Sequence, residues 1–127
     1  MARTSRPTDA ELAILRVLWS RGPSTVREVL ESSGKPSQGY TTVLKLLQIM
    51  ADKGLVRRDE RERSHVYRAA DSEEATQKRL LADLLERAFG GSAKQLIVRA
   101  LSAGRASPEE LREIRRLIND MTKEGRP

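Results

Sequence analysis

Tyr40-Thr-Thr-Val-Leu-Lys-Leu-Leu-Gln-Ile-Met-Ala-Asp-Lys-Gly-Leu-Val56 is the stretch on which the fold turns. Val43, Leu46, Leu47 and Met50 recur at helical spacing and make one buried stripe, so the run predicts a helix from Tyr40 to about Lys53 that Gly54 ends. The opposite face presents Thr41, Lys45 and Gln48, with Leu44 beside them. Helices with one apolar stripe usually turn charged residues to water. This one turns out side chains able to read base edges. Lysine pairs with guanine O6 and N7, glutamine with adenine N6 and N7, and a threonine methyl packs on a thymine methyl.

Two helices precede this segment. Thr8 and Glu11 have the spacing of a capping box before Leu12, Ile14, Leu15, Leu18 and Trp19, and Gly22-Pro23 stops that helix. Ser24 or Thr25 then caps a short second helix with Val26, Val29 and Leu30 on its apolar edge. Ser32-Ser-Gly-Lys-Pro36 reads as the turn into the third.

After Gly54 the character changes. Leu55–Asp59 and Ser64–Arg68 are short runs with β-branched or aromatic residues, joined by Glu60-Arg-Glu-Arg63, and they predict a β-hairpin. Three helices complete the chain. One is capped at Asp71-Ser72 and runs to Phe89, a second carries Leu96, Ile97, Val98 and Leu101, and a third starts at Ser107-Pro-Glu-Glu110. The expected fold is mainly α with a small β-hairpin. A winged helix-turn-helix occupies residues 1–70 and a three-helix dimerisation segment residues 71–127.

Composition narrows the function. Among 127 residues 38% are apolar, 33% are charged and none is cysteine. Disulfides, thiolate zinc sites and thiol redox chemistry are therefore excluded. His65 is the sole histidine, so no metal site and no cofactor is expected. No P-loop, nucleophile elbow or dinucleotide turn is present, and an enzyme is not expected. Lacking a long apolar run or a signal-like start, the chain is expected in the cytoplasm without membrane insertion. Net charge is +6, and residues 1–70 carry most of it, with 13 Lys/Arg against 8 Asp/Glu. That skew suits a half that faces a polyanion, although solubilising charge alone would look similar.

The candidate DNA contacts follow. On the third helix they are Tyr40, Thr41, Thr42, Lys45 and Gln48, with Tyr40 equally able to pack on the second helix. Arg61, Arg63 and His65 belong to the hairpin, where Glu60 and Glu62 offset the arginines. Ser24 and Thr25 are caps that can also donate to phosphate. Downstream, Leu80, Leu81, Leu84, Leu85 and Phe89, with Leu111, Ile114, Leu117, Ile118 and Met121, exceed what these helices can bury on one another, which points to a homodimer, the alternative being packing of this tail back onto its own winged helix.

The runs ELAILRVLW, TTVLKLLQIMADKGLV and SHVYRAAD, with the later Gly-Gly break and SPEELREIRRLI, resemble the penicillinase-repressor (BlaI/MecI/CopY) family from about Thr8 to Met121. The resemblance implies a homodimeric repressor on an inverted-repeat operator of double-stranded DNA, often with TACA/TGTA-like half-sites. In β-lactam-responsive members a membrane sensor protease system triggers a cut at an Asn-Phe bond. The matching position here is Arg99–Ala100, and the Asn-Phe pair is absent. Copper-responsive members carry a cysteine cluster that this chain lacks. Two further readings stay open: a winged helix controlled by a small effector, and a winged helix that binds protein without reading DNA.

Overall fold

The computed structural model describes residues 6–33, 39–61 and 63–124. Their elements run α1 (Asp9–Arg21), β1 (Ser24–Thr25), α2 (Val26–Ser32), α3 (Tyr40–Asp52), β2 (Val56–Asp59), β3 (Val66–Ala69), α4 (Glu73–Phe89), α5 (Ala93–Ser102) and α6 (Pro108–Glu124). The chain divides into two compact units, Met1–Leu80 and Leu81–Pro127, and the division falls inside α4. The first unit is a winged helix. The turn expected after Ser33 falls on residues 34–38, outside those described.

In the first unit the capping box of α1 forms as its sequence predicts. Glu11 N–H donates to Thr8 Oγ1 at 3.2 Å, and Thr8 N–H donates to Glu11 Oε1 at 2.9 Å. The reciprocal pair satisfies two donors that a helix start leaves open. Thr25 and Glu28 repeat the device at α2, with distances of 3.2 and 2.9 Å. The end of α3 is a Schellman motif: Leu55 N–H donates to Met50 O and Gly54 N–H to Ala51 O. Gly54 takes φ +82°, where a side chain would be strained, and Leu55 and Met50 are both buried beneath the turn.

One core joins α1, α2, α3 and the sheet. Val29, Leu47, Met50 and Tyr67 are wholly buried, with Val43 and Leu15 nearly so. Each such side chain contributes about 1.5–3 kcal/mol through removal from water. Leu46, expected in the buried stripe, is only half-buried at its edge. Glu11, also buried, receives Lys53 Nζ at 2.7 Å, so the first turn of α1 is tied to the end of α3. Burial alone would raise the Glu11 pKa. The Lys53 ammonium and the Thr8 amide outweigh it, and the net shift is downward.

The sheet is antiparallel, ordered β1-β3-β2, with Ser24 opposite Tyr67, Arg58 opposite Tyr67 and Arg57 opposite Arg68. The two-residue strand β1 was not expected from the sequence, where the same residues read only as caps. Trp19 Nε1 donates to Asp71 O at 3.0 Å, and Thr76 is buried, so the opening of α4 belongs with the first unit.

The second unit holds the rest of α4 with α5 and α6. Ser92 caps α5 by accepting from Gln95 N–H, and Ser107 caps α6 by accepting from Glu110 N–H. Its apolar residues are exposed or half-buried, and none among the described residues is buried. No described helix is long and apolar enough to cross a membrane.

Candidate nucleic-acid interface

At 100° per residue, the burial of Val43, Leu47 and Met50 turns Thr41, Lys45, Gln48 and Asp52 to the opposite side of α3. All four are exposed, and Thr42 lies at one margin of that face. Thr41, Lys45 and Gln48, the residues expected to contact DNA, are thus open to solvent. Asp52, not singled out in the sequence, places a carboxylate at the far end of that face. Leu44 is half-buried against the core.

Beside the start of α3 lies a cleft of about 510 Å³, lined by Thr25, Arg27, Tyr40, Arg63, Ser64 and His65 among others. It brings together four residues expected to touch DNA that come from three separate elements of the chain. Arg27 is the residue that sequence reasoning missed. Its guanidinium carbon sits 5.5 Å from the centroid of the Tyr40 ring, a cation–π contact that holds both side chains at the cleft. The available signal was a cation in the first turn of α2, where the helix dipole disfavours positive charge. Thr25 keeps both proposed roles open, since its oxygen accepts from Glu28 N–H while its side chain lines the cleft.

Ser24 is a correction. It is wholly buried in β1, where its hydroxyl donates to Gly22 O at 2.8 Å and accepts from Arg21 Nε at 3.1 Å. A phosphate has no access to it, and its role is to fix the turn between α1 and α2.

The wing carries its own neutralising acids. Arg61 makes a two-nitrogen contact with Asp59, with Nη2 to Oδ2 at 2.7 Å and Nε to Oδ1 at 3.1 Å. That contact, with the Arg61 amide and the nearby Arg68, holds the Asp59 pKa down at about 2. Arg58 pairs with Glu60 at 2.7 Å. Glu62, the other acid expected to offset the wing, lies outside the described residues. On the outer face Arg57 stands directly across from Arg68, and both are exposed. The hydroxyl of Tyr67 is buried without a hydrogen-bond partner among the described residues, although Tyr67 stands opposite Arg58 and is the leading influence raising that guanidinium's pKa.

In the second unit Leu81, Leu84, Leu111, Leu117, Ile118 and Met121 are exposed, while Leu80 at the unit boundary, Leu85, Phe89 and Ile114 are half-buried. The Arg99–Ala100 bond lies inside α5 with both residues exposed.

Among solved structures, a MarR family protein from Bacillus stearothermophilus is 25% identical with a TM-score of 0.47, covering 93% of this chain and 77% of that one. Two curated relatives from two strains of Mycobacterium tuberculosis, each described as transcriptional regulator BlaI, are 36% identical over 97 residues, covering 75% of this chain and 70% of each relative. Residues 7–120 match the penicillinase repressor family. The chain belongs to the penicillinase repressor family of transcriptional regulators.

Proposed function

We propose that this protein represses transcription as a homodimer that binds an inverted-repeat DNA operator through α3 and the wing of each copy. The observation that carries the reading is the exposed row Thr41, Lys45 and Gln48 on the side of α3 opposite its core, next to a cleft holding Arg27, Arg63 and His65. A row of donors of that length fits the major groove, while the cleft cations suit the phosphates beside it. Two-fold symmetry then sets the two recognition helices about 34 Å apart, one turn of B-DNA.

The exposed apolar side chains of α4 and α6 support the dimer. Leu117 is 61% and Met121 70% exposed in a single copy, more than a lone chain of this charge benefits from leaving in water. Release by a membrane sensor protease system, if it operates here, would act on the Arg99–Ala100 bond. That bond is helical, so cutting it requires α5 to unwind locally.

The test is a salt titration of binding to a duplex enriched from a random pool, wild type beside Lys45→Ala with Gln48→Ala. Wild-type affinity falls steeply with salt as phosphate contacts release counterions. The double variant keeps most of that slope but loses preference for the enriched over a scrambled duplex. Weak binding without preference in both proteins would overturn the reading and leave protein interaction as the use of this winged helix.

A further inference from the structure

The aliphatic side chains of α3 have different fates. Val43 and Leu47 are buried, and Leu44 and Leu46 pack half-buried against the same core. Ile49 alone among them is exposed, at 41%. It follows Gln48, lies four residues after Lys45 and seven after Thr42, and so continues the margin of the proposed reading face rather than the core stripe. Beyond Leu46, which lies three residues before it at the core edge, its near neighbours are charged: Lys45 one turn before it, and Asp52 three residues after it. Lys53, one turn further on, is turned to Glu11.

The groove supplies one chemical match for such a group. Of the base edges in the major groove, thymine offers a methyl, while the remaining features are hydrogen-bond donors and acceptors. An aliphatic side chain set against a donor or acceptor strips its water and returns nothing. Set against the thymine methyl it removes two apolar surfaces from water together. Isoleucine is branched at Cβ and already restricted at χ1, so little rotamer freedom is lost on docking. Thr42 and Ile49 stand about 10.5 Å apart along the helix axis. That is about three base-pair steps, so Ile49 reaches a base distinct from the one at the start of α3.

We propose that Ile49 is a specificity-determining contact that packs on the C5-methyl of a thymine in each half-site. The inference rests on α3 being the groove-reading helix, and its test separates the two.

The experiment uses the full chain and a duplex enriched from a random pool, with each thymine of one half-site replaced in turn by deoxyuridine. That exchange deletes one methyl and leaves every hydrogen-bonding group in place. At one thymine, wild-type binding weakens by about fourfold, the worth of one buried methyl. Ile49→Ala binds the unmodified duplex more weakly, is indifferent to deoxyuridine at that thymine, and stays as sensitive as wild type elsewhere. Ile49→Val, which removes a single methyl and guards against a poorly folded alanine variant, shows an intermediate response at that thymine alone. Equal sensitivity of wild type and both variants at every thymine overturns the proposal while the reading of α3 stands. Wild type without preference for the enriched duplex overturns both.

Discussion

The two units of this chain spend their apolar residues in opposite ways. In residues 6–80 the large side chains converge: Leu47, Met50, Val29 and Tyr67 reach full burial, drawn from two helices and a strand. In residues 81–124 the apolar side chains lie along helices in stripes that stay open to water, with Leu117 and Met121 more than half exposed. Both halves have helical periodicity and sound caps, so local propensity does not separate them. The difference lies in whether one copy of the chain supplies the facing surface. A winged helix closes its core with its own sheet, while stripes on helices remain unpartnered until something covers them.

That contrast is best broken in the first unit. Leu47→Ala is expected to cost about 2–5 kcal/mol, the range for emptying a well-packed aliphatic site. Chemical denaturation followed by Trp19 fluorescence reads it directly, and a loss below about 1 kcal/mol would mean that the core is looser than its burial implies.

Glu11→Gln should cost less, about 1–2 kcal/mol, because Lys53 keeps partial access to water once its partner is gone. The same pair gives a pH signature. Glu11 has a lowered pKa in the folded chain, so its stabilisation is fully present above the ordinary glutamate value and disappears as pH falls through the lowered one. Wild type therefore loses stability in that acid range, and Glu11→Gln loses less over the same interval. Parallel curves for the two proteins would remove the Glu11–Lys53 pair from the account.

Much of this was legible in the sequence, and the reasons differ by residue. Thr8 with Glu11 and Ser107 with Glu110 are local devices whose partners lie three residues away, so spacing alone reveals them. The α3 stripe is equally local. Ser24 was misjudged because its burial depends on Tyr67, paired with it across the sheet from more than forty positions away. A two-residue strand leaves no periodicity to detect. Arg27 escaped notice because its partner, Tyr40, sits on the next helix. Distances between elements, rather than patterns within them, decide which residues share the cleft.

In the second unit a charge placed on the open stripe sharpens the contrast. Leu117→Glu should leave the denaturation midpoint of a dilute single copy unchanged while raising the dimer dissociation constant at least about tenfold. Sedimentation across a concentration series measures it. A variant that associates like wild type would show that α6 faces solvent in the working protein.

The smallest effect is expected at the wing. Asp59→Asn removes the carboxylate that grips Arg61, and binding to a scrambled duplex in low salt should tighten by about twofold to threefold. Unchanged binding would mean that Arg61 never approaches DNA.

That grip has a consequence for time as well as for strength. A regulator meets about a million to a billion wrong positions for each right one. Arg61 must leave its own Asp59 before it takes a phosphate, so each chance landing is held less firmly and ends sooner. The base-edge contacts proposed for α3 would carry no such toll, since Lys45 and Gln48 stand exposed on the helix. Under the proposed reading, the wing's carboxylate would shorten dwell time on irrelevant DNA and leave the lifetime on the operator largely to α3, which would speed the search for the correct site.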